Sequence, residues 1–220
     1  LCISLMSWCH SVPGVPGANV VIAGGGIVGA NAARMAAGLG AHVVVLDIRK
    51  ERLNYIDETF NGRVSTLFSN EYNLTKVLVE ADLVISTVLI PGARAPKIIT
   101  EEMVKTMKPG SVIVDVAIDQ GGSVETIPHA TTHEAPVFVK YGVIHYAVAN
   151  IPGTVPKTST YALTGMTLPY ILMMADRGIK EAMIKDYALL LGLNTLKGCV
   201  TCRGIAEAQG LPYTLPQELL

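Results

Sequence analysis

The sequence predicts an α/β protein, a doubly wound parallel sheet followed by a helical C-terminal segment. Short β-branched runs alternate with helical patterns of about 10–15 residues from Asn19 to Ala149, the rhythm of βαβ units. The runs are apolar throughout rather than at every second position, as strands covered on both faces require. A glycine-rich turn, Gly24-Gly-Gly-Ile-Val-Gly29, joins the first run to the first helical pattern.

Taken in order, Asn19–Ala23 reads as the first strand and Val28–Leu39 as an Ala-rich helix. Ala41–Asp47 is a second strand and Lys50–Phe60 a second helix. Val64–Phe68 is a short third strand, with a helix over Leu74–Glu80. Leu83–Ser86 and Ser111–Asp115 are buried strands separated by a helix near Thr100–Met107, and Val143–Ala149 is the sixth strand. After Pro152 the character changes. A long helical stretch opens at Pro156, with Thr158 or Ser159 as its cap, and Pro169 is expected to kink or split it. Ile179–Leu191 and Cys199–Gln209 read as further helices, the last stopped by Gly210 and Pro212. The expected organisation is an irregular segment over residues 1–13, a nucleotide-binding domain over 14–155 and an all-helical segment over 156–220.

Composition excludes several classes. Of 220 residues, 50% are hydrophobic and 16% charged, against a disordered or coiled-coil chain. Lys+Arg 17 against Asp+Glu 18 leaves a net charge of −1 with no basic block, so a nucleic-acid partner is not expected. The mean hydropathy of +0.42 comes from buried strands, since no apolar run approaches the ~18 residues of a spanning helix. Four cysteines are too few for a disulfide scaffold, and Cys199-Val-Thr-Cys202 finds no second pair in Cys2 and Cys9, so no metal site is expected. Reduced, structural thiols point to the cytoplasm. The apolar first residues, Leu1 to His10, lack the positive start of a signal peptide.

The chemistry gathers around the glycine turn. It fits G-x-G-x-x-G, follows a strand, opens a helix, and is followed by an acid at the end of the next strand, Asp47, 18 residues beyond Gly29. Gly24 permits the tight turn, Gly26 lets the backbone approach a pyrophosphate, and Gly29 lets helix and strand pack closely. The helix N-terminus offers N–H groups to phosphates. Asp47 is placed to accept from adenosine ribose hydroxyls and to repel a 2′-phosphate, which favours NAD over NADP; Arg49 and Arg52 close behind keep that exclusion from being absolute. This is the dinucleotide pattern of a Rossmann domain. Two loops follow strand ends, Thr87–Ala93 and Val116–Gly122. Asp119 in the second is the candidate for proton transfer, while Asp115 reads as a structural hydrogen-bonder and His145 as a core residue.

Four stretches then resemble a known family. Gly14–Ile22, Ala117–Gly122 (Ala-Ile-Asp-Gln-Gly-Gly), Val148–Pro152 (Val-Ala-Asn-Ile-Pro) and Val155–Thr164 (Val-Pro-Lys-Thr-Ser-Thr-Tyr-Ala-Leu-Thr) are similar to alanine dehydrogenase. The resemblance runs from about Gly14 to the C-terminus, and the same superfamily includes the NAD-binding subunit of proton-translocating transhydrogenase. It implies NAD-dependent oxidation of L-alanine and water to pyruvate and ammonia, with Asp119 as the catalytic aspartate. It further implies that Ile27, Asp47, Arg52 and Ser69 line the adenosine half of NAD. Val88, Leu89, Val116, Ile118, Asp119, Val148, Asn150 and Ile151 would surround the nicotinamide half. Family members are hexamers, and they carry a substrate half ahead of the nucleotide domain that supplies an Arg, a Lys and a catalytic His. Nothing before Ser11 matches that half, so the helical segment is expected to belong to an otherwise missing substrate domain. The alternative function is a non-catalytic NAD-binding fragment or a transhydrogenase-like subunit.

Overall fold

The computed structural model describes residues 13–90 and 94–220. The chain divides into two compact units. The first takes the described residues up to Leu89 together with Ala95–Ala149; the second takes Asn150–Leu220 with Ile90 and Arg94. The irregular segment expected before residue 14 lies almost wholly outside the described residues, as do Pro91–Ala93 of the loop expected after the fourth strand.

In the first unit, strands β1 (Asn19–Ala23), β2 (His42–Asp47), β3 (Val64–Phe68), β4 (Leu83–Ser86) and β5 (Val112–Asp115) alternate with helices α1 (Ile27–Gly38), α2 (Lys50–Phe60), α3 (Glu71–Leu78) and α4 (Glu101–Lys105). Strands β6 (Val137–Lys140) and β7 (Val143–Tyr146) complete a seven-stranded sheet of order β3-β2-β1-β4-β5-β7-β6. All pairs are parallel except β6 with β7. The order reverses between β1 and β4, and an open α/β sheet leaves a crevice for ligand outside the carboxyl ends of the strands at such a point.

The apolar runs behave as two-faced strands. Val20 and Ile22 of β1 pack with Ala30, Ala33, Ile56 and Phe60 on one face. Val21 and Ala23 pack with Leu74, Leu78, Met103 and Ile113 on the other. Successive residues of one strand therefore feed two cores, which is why no polar alternation marks β1.

Two expectations for this unit are corrected. The helix read over Leu74–Glu80 begins earlier, at Glu71, because the Asn70 side chain caps it by accepting from the Asn73 N–H at 2.8 Å. The last strand is shorter than read and has an antiparallel partner, β6, turned by Tyr141-Gly142, both at positive φ. Two residues in that conformation give the tight hairpin turn whose twist matches its strands.

The second unit contains α5 (Pro156–Arg177), α6 (Ile179–Lys185), α7 (Tyr187–Leu191), a hairpin of β8 (Thr195–Leu196) and β9 (Cys199–Val200), then α8 (Arg203–Gln209) and α9 (Pro216–Leu219). The segment is not all-helical. Lys197 and Gly198, both at positive φ, turn the β8–β9 hairpin, and the extended backbone continues to Cys202, so the last long helix starts at Arg203. Helix α5 is continuous through Pro169 and starts on Pro156 without a side-chain cap; Ser159 instead donates to the Pro152 carbonyl at 2.8 Å. One N–H is missing from a ladder of 22 residues, and the hydroxyls of Thr164 and Thr167 bond back to the carbonyls of Thr160 and Leu163. Asp186 breaks the helix read over Ile179–Leu191 by capping α7, accepting from the N–H groups of Ala188 and Leu189. Among the described residues no helix is long and apolar enough to cross a membrane.

Candidate functional site

The glycine turn crosses the crevice where the strand order reverses. Gly24 leaves β1 at φ +105°, a conformation that disfavours any side chain, and its N–H donates to the Leu46 carbonyl of β2 at 2.7 Å. From β4, the Thr87 hydroxyl donates to the Gly24 carbonyl at 2.9 Å, and the Thr87 N–H to Ala23 at 2.8 Å. Thr87 thus fastens the turn from the side opposite β2. A Cβ on Gly29 would lie 1.9 Å from the Gly24 oxygen, so only glycine allows α1 to start this close to β1. A Cβ on Gly26 would meet nothing within 4 Å, and α1 has no side-chain cap. The backbone at Gly26 therefore borders open space and no side chain covers the start of α1, which suits a phosphate-binding helix end. Ile27 and Val28 are exposed at that end.

Asp47 does more than present a carboxylate. Only 6% exposed, it accepts from the Gly25 N–H through Oδ2 at 2.8 Å and from the Arg49 N–H through Oδ1 at 2.8 Å, with Arg49 Nε 3.3 Å away. Burial works against its charge, but the Arg49 N–H and guanidinium and the Gly25 N–H outweigh it and hold the carboxyl below its usual range. Two carboxylate oxygens offer about four acceptor positions, so capacity for a ribose hydroxyl remains. Arg52 donates through Nε to the Gly25 carbonyl at 2.8 Å, bracing the turn, and Ser69 N–H donates to the Asp47 carbonyl at 3.0 Å. Ile48 and Phe68, exposed apolar residues at the ends of β2 and β3, were not singled out by the motif because nothing in it marks them.

The loop after β5 is built around a second, fully buried carboxylate. Asp115 accepts from the N–H groups of Ala117, Ser123 and Val124 and from the Ser123 hydroxyl, at 2.8–3.2 Å. Ser123 in turn lies 2.5 Å from the Ser86 hydroxyl at the end of β4. These bonds hold a 3-10 turn over Val116–Gln120 on which Asp119 is exposed. Lys97 ties the loop after β4 to it, donating to the carbonyls of Gly121 and Val124 at 2.9 and 3.1 Å. Asp115 is the structural hydrogen-bonder the sequence suggested; Lys97, Thr87 and Ser123 carry no sequence signal that marks this role.

The remaining candidates separate. Ile118 and Val148 are buried, Ile118 as part of the main core. Val116 starts the 3-10 turn, Val88 packs against the main core and Leu89 is exposed. Asn150 and Ile151 belong to the second unit, where Asn150 takes a left-handed backbone at the start of a 3-10 turn over Ile151–Thr154. His145 is wholly buried, donating through Nδ1 to the Val143 carbonyl at 2.9 Å, sharing a hydrogen bond with the Thr126 hydroxyl through Nε2 at 2.8 Å, and stacked on Phe138. Cys199 and Cys202 are both half-buried free thiols, and the Thr201 N–H between them donates to the Asn194 carbonyl at 2.9 Å. Among the described residues no group of three or more His, Cys, Asp or Glu is placed to hold a metal ion.

Sheet order, glycine turn and switch-point crevice define a dinucleotide-binding domain of the Rossmann type. The chain belongs to the alanine dehydrogenase/PNT C-terminal domain family, whose model matches residues 4–203. It is 60% identical over 209 residues to an alanine dehydrogenase of Methanococcus maripaludis, and 56% identical over 209 residues to one of Staphylococcus haemolyticus. Each match takes 95% of this chain and 56% of the relative, so the chain spans about half the length of these curated relatives. A solved L-alanine dehydrogenase superposes with a TM-score of 0.82 at 46% identity, over 92% of this chain and 56% of that one. A transhydrogenase from Sinorhizobium meliloti gives a TM-score of 0.59 at 31% identity, over 66% of this chain and 41% of that one.

Proposed function

We propose that this chain is the NAD-binding part of an NAD-dependent alanine dehydrogenase, acting in the cytoplasm within a homo-oligomer, a hexamer as in the family. The observation that carries the reading is the glycine turn fastened across the switch point by Thr87 and Asp47, in a chain 60% identical to an alanine dehydrogenase. NAD, when bound, supplies the hydride acceptor for oxidation of L-alanine to pyruvate and ammonia. The α1 N–H groups bind its pyrophosphate, Asp47 and Arg52 hold the adenosine ribose side, and the loops after β4 and β5 border the nicotinamide. Asp119, exposed on its braced 3-10 turn, moves a proton while substrate is held by residues of the remaining half of the full-length protein.

Titration calorimetry of the 220-residue chain with NAD tests the binding reading, and absence of NAD binding overturns it. Addition of alanine with NAD to the full-length protein tests the activity, read as NADH absorbance. NAD binding without alanine oxidation there would support the transhydrogenase-like reading, which the likeness to the Sinorhizobium meliloti protein favours.

A further inference from the structure

The loop that carries Asp119 is gripped by opposite charges at its two kinds of peptide group. Its donors go to an anion: the N–H groups of Ala117, Ser123 and Val124 lie on the buried Asp115 carboxylate. Its acceptors go to a cation: Lys97 Nζ donates to the carbonyls of Gly121 at 2.9 Å and Val124 at 3.1 Å. Gly122, at φ +70°, stands between the two charges. A Cβ on it would lie 2.8 Å from Asp115 Oδ2 and 3.5 Å from Lys97 Nζ. The backbone beside Lys97 follows the same course. Ala95 N–H donates to the Gln120 carbonyl at 2.9 Å and Ile98 N–H to the Ser123 carbonyl at 2.9 Å, and Ile99 bridges Val124.

Asp115 and Lys97 do different work. Asp115 is wholly buried beneath the turn, so its loss bears on folding. Lys97 is exposed, and its segment is anchored in the core by Ile99 instead. Removing the ammonium therefore leaves the core intact and frees the two carbonyls it held, one of them only two residues beyond Asp119. Gly121 and Gly122 both take positive φ, +90° and +70°, and glycine has the widest choice of other conformations. A charged donor on a carbonyl binds about twice as strongly as a neutral one, which suits it to hold such a pair in one conformation. Misplacing a reacting group by about 1 Å can cost about 100-fold in rate, so what fixes these glycines bears on chemistry at Asp119.

We propose that Lys97 is a positioning residue for Asp119, its ammonium holding the Gly121–Gly122 pair so that the Asp119 carboxylate keeps one place on its turn. The proposal rests on the reading of Asp119 as the proton-transfer group of an alanine dehydrogenase. Lys97 itself touches the backbone of the loop and acts only through it.

The test is steady-state kinetics of the full-length protein with alanine and NAD, joined to NAD calorimetry. The proteins compared are the wild type, Lys97→Met, Lys97→Arg, Asp119→Asn and the double variant of Lys97→Met with Asp119→Asn. Lys97→Met should lower kcat by about tenfold or more while the NAD dissociation constant stays within about twofold. Lys97→Arg should recover most of the loss, since it still brings charged N–H donors to the carbonyls. On the Asp119→Asn background Lys97→Met should cost no further kcat, because no carboxylate is left to position. A wild-type kcat in Lys97→Met overturns the proposal. So does an equal loss of kcat with and without the Asp119 carboxylate. A variant that fails to fold, or loses NAD affinity in step with kcat, overturns it too, by making Lys97 a general support. A wild-type protein that binds NAD and does not oxidise alanine is a different result: it removes the reading of the activity, and the proposal with it.

Discussion

Gly26 and Gly29 stand three residues apart in one motif, yet the structure asks opposite things of them. At Gly29 a methyl would collide with the Gly24 carbonyl, whereas at Gly26 it would enter open space. Gly29→Ala should therefore destabilise the fold by about 1–3 kcal/mol in urea unfolding, because backbone must move to admit it. Gly26→Ala should leave the urea midpoint nearly unchanged and still weaken NAD in calorimetry by about tenfold or more, since its methyl stands where a pyrophosphate must approach. Equal effects of the two changes on stability would contradict the geometry. His145 gives a pH-dependent outcome at the same scale. Burial pushes its imidazole below the usual value, with Lys140 adding to the shift and the Val143 carbonyl opposing it. The unfolded chain titrates at about 6.5 and takes up the proton first, so stability falls as pH drops through that value and levels off above it. Urea midpoints measured across this range should show the slope in the wild type and lose that component in His145→Gln.

Among the elements, the 3-10 turn after β5 is held by one carboxylate. Asp115→Ala would leave the N–H groups of Ala117, Ser123 and Val124 without their acceptor in a buried place, an expected cost of about 3 kcal/mol or more. Thermal unfolding checks this, and a loss below about 1 kcal/mol would show that water or a rearranged loop replaces the carboxylate. Asp119 on the same turn is exposed and should behave differently. In the full-length protein, Asp119→Asn should lower kcat by about 100-fold while leaving NAD affinity close to wild type. A variant with wild-type kcat would remove Asp119 from proton transfer.

For the whole molecule, the matched relatives are nearly twice as long as this chain, which covers 56% of them. The 220-residue chain should accordingly bind NAD without oxidising alanine, because holding an amino acid against a nicotinamide needs groups from both halves and contributes several kcal/mol of the barrier. The measurement is NADH formation by the purified chain alone. Turnover near 1 s⁻¹, an ordinary enzymatic rate of about that order, would place the substrate groups within these residues.

The doubly wound fold was legible in the sequence because its strands are buried on both faces, which makes them continuous apolar runs, and because G-x-G-x-x-G needs glycines for reasons local to the turn. Val64–Phe68, an edge strand, and Lys50–Phe60, a helix that buries Leu53, Ile56 and Phe60 on one face, form over the bounds their patterns predict. Strand β6 and the β8–β9 hairpin were not legible: their turns rest on Tyr141, Gly142, Lys197 and Gly198 at positive φ, and neither Tyr nor Lys announces that conformation. Nor could spacing reveal that Asp47 is tied to Gly25 and Arg49, or that Asp115, Ser123, Ser86 and Lys97 brace the turn bearing Asp119. Periodicity and glycine spacing are properties of neighbouring residues and of their burial, so the sequence by itself determined the fold class and the nucleotide turn. Asp47 meets Gly25 across 22 residues of chain, Ser86 meets Ser123 across 37 and Thr87 meets Gly24 across 63, and only the tertiary structure, by setting β1, β2, β4 and β5 side by side, decided that they meet.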